Sequence, residues 1–130
     1  MQISEKAQAE EIVRRSGTDI SKCMQCGKCT AACPVGYRMD IQPHRVVWEL
    51  LNGHVEILQK SVTPWKCLSC FVCAARCPRG VSPAALIESV RLSVIRKQGE
   101  NGLEAEEIPG YIDEKMPQQA IVAAFRKYNK

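Results

Sequence analysis

Cys23-Met24-Gln25-Cys26-Gly27-Lys28-Cys29-Thr30-Ala31-Ala32-Cys33-Pro34 and Cys67-Leu68-Ser69-Cys70-Phe71-Val72-Cys73-Ala74-Ala75-Arg76-Cys77-Pro78 are two copies of one pattern, Cys-x2-Cys-x2-Cys-x3-Cys-Pro. All eight cysteines of the 130-residue chain fall inside them. The copies are offset by 44 positions, so that Lys22, Ala31 and Gly36 also map onto Lys66, Ala75 and Gly80. After each Cys-Pro comes a short turn and then a proline that opens a helical pattern, Gln42-Pro43 in the first half and Ser82-Pro83 in the second. Proline suits that position because its missing N–H is one a first helical turn would leave unbonded.

This spacing holds a pair of [4Fe–4S] clusters in bacterial-type ferredoxins. Three thiolates at two-residue steps wrap three corners of a compact core, and the fourth, three residues on, is carried away by a helical turn. In two-cluster proteins of this pattern the fourth cysteine ligates the other cluster. The expected ligand sets are therefore Cys23, Cys26, Cys29 and Cys77 for one cluster, and Cys67, Cys70, Cys73 and Cys33 for the other. Such a chain moves electrons one at a time. Pro34 and Pro78 exclude helix continuation beyond the ligand, and Gly27 is expected to let the backbone approach the cluster closely. Met24, Trp65, Leu68, Phe71 and Val72 are candidates to shield the clusters. Two alternatives compete on the same residues. Paired zinc knuckles need only four ligands per ion and do not use the evenly stepped third cysteine; disulfides require an oxidising compartment.

The rest of the chain reads as helices. Val46, Val47, Leu50 and Leu51 recur at i, i+3, i+4 spacing after Pro43, with Trp48 widening the apolar face and Asn52-Gly53 marking the end. A shorter segment follows from His54 to Lys60. Leu86, Ile87, Val90, Val94 and Ile95 line one face of a helix from Pro83 to about Lys97, with Ser82 as N-cap and Gly99 as stop. An N-terminal helix from Ser4 to Arg15 offers Ala9, Ile12 and Val13. Residues 99–116 read as a linker, and Pro117 opens a last helix with Ala120, Ile121, Ala124, Phe125 and Tyr128 as its stripe. No stretch alternates as a strand. The fold expected is mostly α: an α-helical ferredoxin of two cysteine-motif/helix halves, residues 1–98, followed by a linker and C-terminal helix, residues 99–130, that docks a partner.

Apolar residues make up 45% of the chain, a count that includes the cysteines, and only two Trp, three Tyr and two Phe are present. With the thiols committed to metal, the core is thin for this length, and the apoprotein is expected to fold poorly. The formal charge of +4 counts every thiol as neutral. Eight thiolates and two oxidised cores of about +2 each bring the loaded protein close to neutrality, so basicity gives no case for nucleic acid. Met1–Lys6 carries charge and no apolar run, and no stretch reaches the ~18–20 residues of a membrane span. A reducing cytoplasm, with no direct membrane insertion, is the expected setting. His44 and His54 are read as surface or capping residues, Trp48 as core, and Arg91, Arg96 and Lys97 as a solvated helix face. No Ser/His/Asp triad, paired-carboxylate site or phosphate loop is seen, so the chain is expected to carry electrons without a catalytic site of its own.

Cys26-Gly27-Lys28-Cys29 with Cys33-Pro34, then Trp65-Lys66-Cys67-Leu68-Ser69-Cys70 and Cys77-Pro78-Arg79-Gly80-Val81, resemble the C-subunit family of heterodisulfide reductase, over about Ile20 to Ile95. The 33 residues between Cys33 and Cys67, filled by helices, separate this type from the compact β-rich ferredoxins. The resemblance implies a two-cluster relay between a flavin-containing A-type subunit and a cysteine-rich B-type subunit that reduces a disulfide. The same helical module resembles iron–sulfur subunits of glycolate oxidase and anaerobic glycerol-3-phosphate dehydrogenase, which keeps the electron wire and changes what it serves. A structural metal-binding interaction module is the alternative of another class.

Overall fold

The computed structural model describes residues 4–96, 110 and 112–125. The chain divides into two units, residues 1–98 and 99–130. Among the described residues every regular element is helical.

The first unit begins with α1 (Glu5–Ser16), capped by Ser4, whose side chain accepts from the Ala7 N–H, and closed by Gly17 at φ 69°. A single 3-10 turn (Ile20–Lys22) delivers the chain to the first cysteine loop, from which α2 (Lys28–Ala32) emerges. A second 3-10 turn (Gly36–Arg38) leads to α3 (Pro43–Leu51). Three short helices follow: α4 (Glu56–Lys60), α5 (Thr63–Lys66) and α6 (Val72–Arg76), the last inside the second cysteine motif. Then comes α7 (Pro83–Ile95), with Ser82 accepting from the Ala85 N–H as its N-cap.

α7 is the axis of this unit. Its Leu86, Ile87 and Val90 are buried, and it packs against α1, α3, α4, α5 and α6. The opposing side chains are Ala9 and Ile12 of α1, Val46, Val47 and Leu50 of α3, and Val55 and Leu58 around α4. Cys23, Cys67 and Cys77 are packed against the same cluster, so the core ends where the thiols begin. The short helices of the two motifs, α2 and α6, lie side by side.

Two carboxylate caps hold helices too short to stand alone, and a hydroxyl joins α1 to α7. The Glu5 carboxylate accepts from the N–H groups of Val55 and Glu56, both at 2.9 Å, and so caps α4 from α1. The Asp40 carboxylate accepts from Val62 N–H (3.1 Å), Thr63 N–H (3.2 Å) and the Thr63 hydroxyl (2.9 Å), capping α5 across 23 residues of sequence. Thr18 Oγ1 accepts from Ser82 N–H at 3.0 Å and ties the α1 exit to the α7 entrance.

Several expectations change. Trp48 is 43% exposed rather than core, because the stripe of α3 that meets α7 is Val46, Val47 and Leu50. Its ring lies edge-on to His54 at 6.0 Å, with the Arg45 guanidinium 5.9 Å from its centroid. Leu51 and Ile95 are exposed and Val94 is half-buried, since each sits at a helix end beyond the reach of the packed face. α7 ends at Ile95, with Arg96 as C-cap; Lys97 and Gly99 lie outside the described residues. Arg91 is not solvated, as the next subsection describes.

In the second unit, Met116 N–H donates to Asp113 O at 2.9 Å in a turn that precedes α8 (Gln118–Phe125). Pro117 opens that helix, its carbonyl accepting from Ala120 and Ile121. Ala120 is exposed and Ile121 half-buried. The side chains of Ala124 and Phe125, the whole of Tyr128, and most of the stretch read as a linker lie outside the described residues.

Candidate metal centres

The two cysteine motifs have the same backbone. Cys23 (φ −66°, ψ 125°) follows a 3-10 turn and Cys67 (−60°, 126°) follows α5. Four residues on, Gly27 (77°, 3°) and Phe71 (59°, 14°) both take the left-handed conformation that starts the next helix. Cys33 (−69°, 118°) and Cys77 (−73°, 119°) end those helices in extended backbone. Gln25 and Ser69, midway through the first steps, share φ 54°. Residues other than glycine rarely take such angles, at a cost of about 1–2 kcal/mol each. Among the described residues every non-glycine in this region, Gln25, Ser69 and Phe71, belongs to a cysteine loop.

The lone motif glycine has a conformational role. A Cβ at Gly27 would meet no protein atom within 4 Å; the position requires positive φ, and Gly27 itself lines the first of the cavities described next.

Because α2 and α6 lie side by side, the end of each helix reaches the loop of the other motif. Two cavities result. The first, of about 360 Å³ including its open mouth, is lined by Cys23, Cys26, Cys29 and Cys77 together with Gln25, Lys28, His44 and Arg79. The second, of about 310 Å³, is lined by Cys67, Cys70, Cys73 and Cys33, with Met39, Leu68, Phe71 and Ile87 among its apolar walls. Each therefore gathers three thiols of one motif and the fourth of the other. Of the five residues considered as shields, Met24 lines the first cavity and Leu68 and Phe71 the second. Trp65 is 53% exposed and lines neither.

The thiols differ in surroundings. Cys26 and Cys70 are exposed, Cys73 is buried and the remaining five are intermediate. Burial pushes the Cys29 thiol above its ordinary pKa, against hydrogen bonds from Thr30 that lower it. Burial likewise raises that of Cys73, with the neighbouring Cys67 and Cys29 adding to the shift. Cys29 sits on α2 and lines the first cavity, and Cys73 sits on α6 and lines the second, so the seam between α2 and α6 is the boundary the cavities share.

Donors already point at sulfur. Gln25 Nε2 lies 3.3 Å from Cys23 Sγ and also donates to His44 O at 3.0 Å. Val81 N–H donates to Cys77 Sγ at 3.3 Å, and Ser69 N–H to Cys67 Sγ at 3.4 Å. His44 is occupied at Nδ1, 2.6 Å from Thr30 Oγ1, and His54 Nδ1 by the Glu49 carboxylate at 2.8 Å.

Arg91 is the residue that sequence reasoning missed. Its Nε donates to Pro64 O at 2.7 Å and its Nη2 to Cys67 O at 3.1 Å. The side chain reaches from α7 to the entrance of the second cysteine loop and fixes it. Helical spacing puts Arg91 beside the buried Val90, but the sequence carries no signal for a carbonyl partner 24 residues away.

The donor sets fit clusters of four irons. Four thiols line each cavity, the number of ligands a cubane needs. Such a set holds a core several ångströms across, as four thiolates do in [4Fe–4S] proteins.

Comparison with known proteins agrees. Residues 22–82 match the family described as a 4Fe-4S dicluster domain. The chain is similar to the C-subunit of the ferredoxin:CoB-CoM heterodisulfide reductase of Methanosarcina acetivorans, 30% identical over 94 residues, covering 72% of this chain and 36% of that protein. It is similar to the protein of the same name from Methanosarcina mazei, 33% identical over 85 residues, covering 65% of this chain and 52% of that protein. The chain thus spans between about a third and a half of the length of these curated relatives. Its cofactors are two [4Fe–4S] clusters. Among the described residues no helix is long and apolar enough to cross a membrane.

Proposed function

We propose that this chain, an iron–sulfur electron-transfer protein related to the C-subunit of heterodisulfide reductase, is the relay between a flavin-containing A-type subunit and a cysteine-rich, disulfide-reducing B-type subunit of one cytoplasmic complex. One cluster is held by Cys23, Cys26, Cys29 and Cys77, the other by Cys67, Cys70, Cys73 and Cys33. What supports the ligand assignment is the crossing of the motifs: each cavity draws its fourth thiol from the other half.

When bound, the clusters supply reversible one-electron chemistry. The work of the chain's own residues is to hold, insulate and tune. The positive-φ residues Gln25, Gly27, Ser69 and Phe71 aim the loops, α2 and α6 deliver the fourth thiols, and N–H donors contact sulfur. The crossing also makes each cluster a staple between halves, which suits a chain whose core ends at the thiols. Residues 99–130 are proposed to dock a partner subunit.

The test is an anaerobic pull-down of the loaded chain from its native cells, with stoichiometric companions identified by mass spectrometry. A flavoprotein together with a cysteine-rich subunit is the expected result. A hydroxy-acid or glycerol-phosphate dehydrogenase as the companion overturns the assignment of the complex. Two redox-inactive zinc ions per chain, in place of about eight irons, overturn the electron-transfer reading itself.

A further inference from the structure

The two cavities are related by the repeat, yet they are not equivalent in charge. Gln25, Lys28 and Arg79 stand in or beside the first cavity. At the positions 44 residues away in the other copy stand Ser69, Val72 and Val35. All four polar or charged residues that line the first cavity, Gln25, Lys28, His44 and Arg79, have no counterpart in the second, where every lining residue other than the cysteines is apolar. The sulfur donors follow the same division. Cys23 and Cys77 of the first cavity receive Gln25 Nε2 and Val81 N–H, both at 3.3 Å, whereas in the second Cys67 receives Ser69 N–H at 3.4 Å.

A [4Fe–4S] core with four thiolates carries about −2 when oxidised and about −3 when reduced. Surroundings that favour the more negative state raise the potential: cations, and donors to sulfur. Apolar walls do the opposite, because they desolvate the added charge.

On the ligand reading above, we infer that the cluster of Cys23, Cys26, Cys29 and Cys77 has the higher reduction potential, and that Gln25, Lys28 and Arg79 set the difference. An electron arriving at the second cavity then moves downhill to the first: one core is oxidised by one electron and the other reduced by one. Arg91 works against this ordering, since its charge is bonded to Cys67 O. It lies behind the loop backbone and does not line the cavity, so it narrows the gap and leaves its sign. Lys28 and Arg79 are exposed, so salt screens their share of the gap.

The experiment is an anaerobic potentiometric titration of the loaded protein, followed by electron paramagnetic resonance. The wild type is expected to show two separate one-electron waves that approach each other as salt is raised. The double variant Lys28→Val with Arg79→Val brings in the residues of the other copy. It should move the higher wave negative by about tenfold in the reduced-to-oxidised ratio, ~59 mV for one electron, and leave the lower wave in place. The converse variant Val35→Arg should raise the lower wave alone, a gain that misfolding cannot imitate. Arg91→Gln should move the lower wave negative. With about eight irons bound, coincident waves, or a double variant that moves the lower wave or neither, overturn the inference. An iron content well short of eight in the wild type overturns the ligand reading beneath it.

Discussion

Gly27 and Phe71 occupy the same place in two copies of one loop, at φ 77° and 59°. Glycine takes that angle freely; phenylalanine holds it at a torsional cost of about 1–2 kcal/mol, and its ring walls the second cavity. Gly27→Ala places a Cβ at a backbone angle that L residues rarely take, with no protein atom within 4 Å of it, so within the chain its effect is torsional. We expect a destabilisation of about 1 kcal/mol, read as faster bleaching of the visible absorption in anaerobic denaturant. Arg91→Gln removes two charge-assisted bonds to carbonyls. It should cost about 1.5–3 kcal/mol by the same measurement, and Arg91→Lys should recover only part, since an ammonium cannot reproduce the fork. The candidate thiols are legible in spacing alone. Arg91 is not, because nothing along a chain announces which carbonyl a guanidinium will find.

At the scale of elements, the short helices depend on carboxylates supplied from elsewhere. Glu5 caps α4 through two N–H groups, and Glu5→Gln keeps the shape while losing the charge. A loss of about 1 kcal/mol is expected, with amide hydrogen exchange accelerated at Val55 and Glu56 first. For Asp40, burial favours the neutral form, but the Thr63 hydroxyl and the N–H groups of Val62 and Ile41 outweigh it and hold the carboxyl below its ordinary value of 3.8. A carboxyl whose folded pKa is depressed contributes stability that is complete above the unfolded pKa and lost as pH falls through the folded one. The stability difference between wild type and Asp40→Asn should therefore be constant near neutrality and shrink below about pH 4. A difference that grew on acidification would reverse the sign. Periodicity located α1, α3 and α7 and the buried faces Ala9/Ile12, Val46/Val47/Leu50 and Leu86/Ile87/Val90. It misplaced Trp48, Leu51 and Ile95, because an apolar residue next to a stripe looks the same in sequence whether or not a neighbour covers it. Neither carboxylate cap was legible, since each links residues more than 20 positions apart.

For the molecule as a whole, the organising feature is that two similar halves each send their last thiol across the α2–α6 seam. An apolar core ending at the thiols leaves the loops, apart from the entrance that Arg91 fixes, to be held by what the thiols bind. Removing iron should then unfold more than the loops: anaerobic chelation is expected to lower helical circular dichroism together with the visible absorption, in one coupled phase. The most direct test of the crossing uses four single variants and the two reduced-state paramagnetic resonance signals. Cys77→Ser should perturb the same signal as Cys26→Ser, and Cys33→Ser the same signal as Cys70→Ser. If Cys77→Ser instead shares its signal with Cys70→Ser, and Cys33→Ser with Cys26→Ser, each motif closes its own cluster and the crossed account is wrong.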